Sequence, residues 1–317
     1  MVECTENSNC NSTQKKKSAD VDSSLRMAGY GSFHYEFLVI CACCILSAGF
    51  QNGLSAYLLP AAQCELGLNY ADIGFTNAAF LVGGTSSALF WGIIADVTGR
   101  KRVLFITLML DFFANVACCF VQNVVELSLC RFLSGFIIGA PASLIFTFMA
   151  EFHAPENRAK VICFSGVFFT VSWLILPIIA WLVLSFPFNF RLSSTLTITS
   201  WRFLIFVISL SDLISAVWLL RLPESPDFLV TKGKTKKALE IIKKIYSRNT
   251  GEKKENFAIG DIRVPIRVDS DDPKEHKQGK VIRIFKCIYS QIKIVFEKPL
   301  IVNSVLMSTI MFGNMYG

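Results

Sequence analysis

Asp111, Arg131 and Asp212 each interrupt a separate apolar run, and each does chemistry when kept from water. An ionisable side chain inside hydrocarbon is costly and marks a proton, ion or solute path by default. Asp111 and Asp212 lie near the middles of their runs, and Arg131 lies toward one end of a third. Two readings stay open for each: an acid–arginine pair that glues helices, or a site for a proton, a cation or a polar solute. Gln51 and Asn52, with Tyr57, place uncharged amides and a phenol in a further run. Amides suit hydroxyl and amide groups of a solute. Gly49 and Gly53 predict a loosened helix there, and Pro141 and Pro177 predict freed carbonyls at gating points. Phe169 and Trp173 are read either as pocket walls or as packing or lipid contacts.

Sets of residues for covalent or metal chemistry do not form in the sequence. His34, His153 and His276 are far apart and show no metal-ligand spacing. No glycine-rich loop with a lysine offers to cradle phosphate. The expectation is therefore neither an enzyme nor an ATP-driven pump, with no metal and no cofactor. Among the 11 cysteines, Cys41, Cys43, Cys44, Cys118, Cys119, Cys130 and Cys163 fall in apolar runs. They read as small hydrophobes. Cys4, Cys10, Cys64 and Cys287 lie outside those runs without metal-ligand spacing.

The elements that position these residues follow from composition. The chain is 53% hydrophobic and 17% charged over 317 residues. A soluble domain carries about 25% charged residues and lacks long uncharged runs, so the lipid bilayer is the expected surrounding. Crossing about 30 Å of hydrocarbon needs ~20 apolar residues. Such runs lie at 37–60, 72–95, 103–123, 125–150, 159–186, 201–221 and 299–317. The expected organisation is a disordered polar segment over 1–34, a six-helix bundle over 35–221, a loop over 222–298 and a seventh span over 299–317. In the loop, Ala238, Leu239, Ile242 and Ile245 fall on one helical face, and 281–296 is a second amphipathic basic stretch. Residues 247–279 read as a flexible linker.

Cations fix the expected orientation. Arg100, Lys101 and Arg102 separate spans two and three, Arg158 and Lys160 separate spans four and five, and 222–298 is densely basic. The other side is nearly bare, so the positive-inside rule places the N-terminus in the cytoplasm. A seven-span receptor would need the reverse. The net charge of +7 is accounted for by these loops, without nucleic acid.

The turn Gly92-x-x-x-Asp96-x-x-Gly99-Arg100-Lys101-Arg102 asks for more than orientation. Gly92 predicts close approach of a neighbouring helix, and Gly99 predicts a positive φ in a short turn. Asp96 at a helix C-terminus needs a cation or another helix N-terminus as partner. The spacing resembles the loop 2–3 signature of the major facilitator superfamily. "RFLSGFIIGA" is similar to that family's fourth helix, with Arg131 followed by Gly135 and Gly139. "EFHAPENR", with Glu151 and Arg158, and "PESPDFL", with Glu224, resemble sugar-porter motifs after helices 4 and 6. Within the superfamily the chain resembles transporters related to synaptic vesicle glycoprotein 2, especially insect forms, over about 30–317. The residues that carry this are "YGSFHYEFL", "YLLPAAQCELGL", "FWGIIADVTGRKRVL" and "PESPDFLVTKGKTKKALEIIKKIY".

The resemblance implies an all-α membrane protein: the N-terminal six-helix half of a major facilitator fold, a 3+3 inverted repeat, plus part or all of a seventh helix. It implies a charge network in which Glu151, Arg158 and Glu224 join Asp96 and Arg100, with Asp227 standing where the family has a cation. It implies a link between Arg131 and proton coupling. Gln51, Asn52, Asp111, Arg131 and Asp212 become the candidate solute or ion site. It implies a secondary transporter of a small organic solute, with or without a coupling ion, in the plasma membrane or an intracellular vesicle membrane. Met311–Gly317 resemble the middle of the family's helix 7, so the expectation is an incomplete chain. Alternatives are assembly with a second copy or half, and a non-transporting binding or regulatory role.

Overall fold

The computed structural model of the chain describes residues 17–186, 189–191, 197–263, 301–302, 305–306 and 309. Six long helices form its frame: α2 (Ser32–Leu66), α3 (Tyr70–Thr98), α4 (Arg100–Cys118), α5 (Val124–Ala150), α6 (Pro155–Ser185) and α7 (Ser200–Leu219). Four of them, α2, α5, α6 and α7, are long and apolar enough to cross a membrane, and a fifth, α3, counts when its two segments are one span. The remaining helix, α4, starts with three cations and carries Asp111, yet it packs between α5 and α7. The expected span 103–123 overruns it, because α4 closes at Cys118.

Local chemistry sets the ends. Asn69 and Asp72 form a reciprocal capping box that starts α3. Pro155 occupies the first turn of α6. Gly99, at φ +112°, both ends α3 and starts α4. A short antiparallel hairpin, β2 (Asn189–Arg191) with β3 (Thr197–Thr199), joins α6 to α7.

Glycine brings α3 and α5 together. A Cβ on Gly135 would lie 2.1 Å from the Phe80 carbonyl oxygen, and one on Gly139 would lie 2.2 Å from Ser87 Oγ. Gly92, expected to serve the same purpose, has nothing within 4 Å of such an atom. Gly49 and Gly53 do not loosen α2, which runs unbroken; they admit Ser172 and Leu176 of α6 instead. Pro141 and Pro177 likewise sit inside continuous helices.

Among the described residues the interior has two large apolar clusters and a small third one of Ala48, Phe80 and Ile138. One large cluster, around Phe37, Leu104, Phe148 and Leu219, lies toward the end where α2 begins; the other, around Leu54, Leu58, Leu127 and Leu204, lies toward the opposite end. Outward faces carry exposed Phe113, Leu129, Leu174 and Trp181. Such surfaces suit lipid.

Parts of two stretches expected to be disordered or flexible, 17–34 and 247–263, are ordered among the described residues. Within 1–34, α1 (Val21–Ala28) buries Val21, Leu25 and Ala28, and β1 (Lys17–Ala19) pairs in parallel with β4 (Ile259–Ile262). Within 247–279, α9 (Thr235–Thr250) runs on to Thr250, followed by a 3-10 turn at Lys254–Asn256 and then β4. Both stretches are polar by composition and are ordered by tertiary contacts: α1 packs on α9 and pairs with α6 through Arg26–Glu156 and Asp22–Arg158, and α9 also packs on α2. Ala238, Leu239, Ile242 and Ile245 of α9 are buried. The amphipathic stretch 281–296 lies outside the described residues, as do 1–16 and most of 299–317.

Gly135→Ala should lower thermal stability in detergent by about 1–3 kcal/mol, because the new methyl meets backbone. Gly92→Ala, in open space, should leave the melting temperature unchanged or raise it.

Candidate functional site

The interior polar residues converge between the two large apolar clusters. Asp111 (α4), Arg131 (α5), Asp212 (α7) and Gln51 (α2) are all fully buried. Gln51 Nε2 donates to Asp212 Oδ2 at 2.7 Å, and the Ser47 hydroxyl donates to Asp212 Oδ1. Ser134 Oγ donates to Asp111 Oδ1 at 2.7 Å. Arg131 Nη2 donates to Ser55 Oγ at 2.8 Å, and the guanidinium lies 4.6 Å from the centre of the Phe80 ring. The expected direct acid–arginine pair is not made: among the described residues no carboxylate lies within 4.0 Å of Arg131. Asp111 stands within electrostatic reach of both Arg131 and Asp212, the latter across the α4–α7 seam. Among the described residues, Asp111 Oδ2, Gln51 Oε1 and Arg131 Nε and Nη1 find no donor or acceptor.

Asn52 stands apart from that cluster. Its amide nitrogen bonds the Ala48 carbonyl one turn back, at 2.8 Å. It borders two adjoining recesses: about 410 Å³ with Ser55, Asn77 and Trp173, and about 250 Å³ with Thr85 and Ser143. Of the five residues expected at a solute or ion site, four are therefore sealed in the half-bundle and one opens on its face. Trp173 lines a recess, whereas Phe169 packs on the core.

The motif charges gather where α3, α5 and α7 end. Arg100 Nε meets Glu151 Oε1 at 2.7 Å, and Arg100 Nη2 meets Asp96 Oδ1 at 3.3 Å. Two members of the expected network take other partners. Glu224 accepts from the Lys101 backbone N–H at 3.0 Å, so it caps the exposed N-terminus of α4. A Cβ on Gly99 would stand 2.6 Å from the other Glu224 oxygen, so a larger residue would displace that flexible carboxylate from its cap, while the positive φ itself requires glycine. Arg158 pairs with Asp22 of α1 and donates from Nε to the Ala150 and His153 carbonyls, both at 3.0 Å. Lys101 Nζ donates to the Leu220 carbonyl at 3.0 Å, and Arg102 is exposed. Asp227, at the start of α8 (Pro226–Thr231), is half-buried; burial and Asp22 push its pKa up, against Arg158 and Arg100.

Sequence reading missed two clusters. His34 and His153, 119 positions apart, bring their rings within 4.9 Å, with Tyr30 stacked on His34 and Asn249 of α9 bonded to it. At the opposite end Arg202 pairs with Glu65 at 2.8 Å and stacks on Trp201. Nothing local in the sequence signalled either pairing. Among the described residues no group of three metal-ligating side chains forms.

A family model described as "Sugar (and other) transporter" matches residues 10–283. Synaptic vesicle glycoprotein 2C of Rattus norvegicus is 28% identical over 249 residues, covering 77% of this chain and 34% of that protein. Synaptic vesicle glycoprotein 2B of Homo sapiens is 27% identical over 274 residues, covering 83% and 40%. The chain thus spans well under half the length of these curated relatives. The xylose transporter XylE from E. coli, in a partially occluded inward-open conformation, superposes with TM-score 0.60 at 19% identity, over 68% of this chain and 56% of that one. The proton:xylose symporter XylE bound to 6-bromo-6-deoxy-D-glucose gives 0.60 and 19%, over 68% and 50%. At that identity the likeness is one of fold.

Two buried groups at the charged end pull stability in opposite directions with pH. Burial pushes Glu151 up to about 7 from 4.5, against Ser225 and Arg100, so its contribution falls as pH rises from about 4.5 through 7. Burial pushes His153 down to about 4 from 6.5, so its contribution falls as pH drops through that window. Glu151→Gln should therefore expose a loss of melting temperature between pH 7 and 5. His153→Asn should expose a gain over the same range. Thermal melts at both pH values, on both variants, check the sign of each.

Proposed function

The chain belongs to the sugar (and other) transporter family, and from that premise we propose that it supplies one half of a secondary carrier for a small polar organic solute. Its fold is the N-terminal half of a major facilitator bundle with SV2-type relatives. The solute binds against the face marked by Asn52, between this half and a second one, and alternating access comes from rocking of the halves. The second half comes from further polypeptide or from another chain. The basic end is cytoplasmic, in the plasma membrane or a vesicle membrane.

The observation that carries a coupled mechanism is the sealed Asp111–Arg131–Asp212 cluster. Two carboxylates and one guanidinium leave a net negative charge in a medium that penalises it heavily. One proton makes the cluster neutral, and Asp111 Oδ2 lacks a hydrogen-bond donor. A proton shared between Asp111 and Asp212 supplies that donor, and its departure changes the charge of the seam between α4 and α7. The other titratable side chains near the cluster are Cys44 of α2, Cys118 of α4 and Cys130 of α5. The proton is therefore the favoured coupling ion. A second reading, a binding or regulatory protein without transport, draws on the vesicle glycoprotein relatives alone.

Uptake of labelled monosaccharides and related polyols into proteoliposomes, with and without an inward acid gradient, tests this. Gradient-driven uptake that Asp111→Asn abolishes supports the carrier. Saturable solute binding without uptake under any gradient favours the second reading. Arg131→Ala should lower stability by about 3–5 kcal/mol by leaving the acids uncompensated. Adding Asp111→Asn to it should recover part of that loss, which a double-mutant cycle of thermal melts will read.

A further inference from the structure

A recess of about 590 Å³ opens at the charged end, between the start of α2, the segment after α7, α9 and the 3-10 turn. Arg221, Lys244, Arg248 and Lys254 line it, and no acidic residue does. Arg248 pairs with Glu36. Arg221, Lys244 and Lys254 form no ion pair among the described residues. Like charges around one hollow repel unless an anion enters it. The floor is apolar: Phe33, Leu222 and Ile245 are buried beneath the cations. On α9, Ile241, Lys244, Ile245 and Arg248 follow helical spacing, so one face presents both the apolar floor and the charge.

Position selects the source of the anion. The recess sits where α2 and α7 leave the apolar part of the bundle, with Arg221 two residues beyond the end of α7. That is headgroup depth for a bundle embedded in a bilayer. We propose that this recess binds the polyphosphorylated headgroup of an anionic phospholipid, with its acyl chains lying along α2 and α7. Three cations besides the Glu36-paired Arg248 exceed what one phosphodiester neutralises, so the headgroup is a phosphoinositide bearing additional phosphates rather than a singly charged lipid. The inference does not depend on transport. It rests on the basic end facing the cytoplasmic leaflet, where such lipids present their headgroups.

The test uses the whole chain in detergent, with short-chain phosphatidylinositol 4,5-bisphosphate, phosphatidylserine and phosphatidylcholine as probes, read by native mass spectrometry. The triple variant Arg221→Gln, Lys244→Gln, Lys254→Gln should weaken bisphosphate binding roughly 10- to 100-fold. Lys236→Gln with Lys237→Gln, two exposed cations on α9 outside the recess, should leave binding unchanged. Binding insensitive to the triple variant would overturn the proposal. So would equal binding of phosphatidylserine, which would mean bulk charge alone. Inositol 1,4,5-trisphosphate binding as tightly as the lipid would overturn the lipid assignment in favour of a free phosphate ester. Circular dichroism of both variants separates lost binding from lost fold.

Discussion

A guanidinium and two carboxyl groups in the middle of a helical bundle must reach neutrality and find donors together, and much of the architecture serves that demand. Four helices converge to meet it: α2 with Ser47, Gln51 and Ser55, α4 with Asp111, α5 with Arg131 and Ser134, and α7 with Asp212. The glycine crossing belongs to the same solution. Gly135 lies one turn from Arg131 on α5 and lets the Phe80 backbone of α3 come into contact. The Phe80 ring that follows is the face over which the guanidinium lies. A larger residue at 135 would lift that ring away and leave a cation with fewer partners. Cation–π contact in such a place is worth more than at a wet surface.

The apolar runs showed the six helices plainly, because lipid-facing sequence admits few alternatives to a helix. The turn at Gly99 was equally legible, since a positive φ and a short connection leave a strong mark. Partners were not. Glu224 and Arg158 looked like members of an ion-pair network because charge is visible in a sequence and direction is not. Glu224 instead answers the unpaired N–H groups of α4, a demand made by backbone rather than by a side chain. Arg158 is taken by Asp22, which lies in a segment too short and polar to register as a helix by itself. That segment packs on α9, more than 200 residues later, as well as pairing with α6, and composition carries no trace of such contacts. Gln51 and Asn52 looked alike in the sequence; their separation, one sealed and one on the open face, follows from the step of about 100° per residue along α2, which points adjacent residues in different directions.

The charged end and the interior cluster are connected by rigid elements rather than by a chain of contacts. α4 starts with Arg100 and Lys101 and carries Asp111; α5 carries Arg131 and ends beside Glu151; α7 carries Asp212 and leads through Leu220 to Glu224. A rigid shift of α4 against α5 therefore moves Asp111 relative to Arg131 and Arg100 relative to Glu151 at once. The contacts at the charged end are not equally able to follow. The Glu224 cap is tied to the Gly99 turn by the Lys101 backbone N–H, so it moves with the start of α4. The Arg100–Glu151 contact joins two helices through flexible side chains, and its acid sits in surroundings that already favour the neutral form. The turn thus divides its charges by role. Glu224, Gly99 and the Lys101 backbone hold geometry, while Arg100 and Glu151 form the part that can open without unravelling a helix.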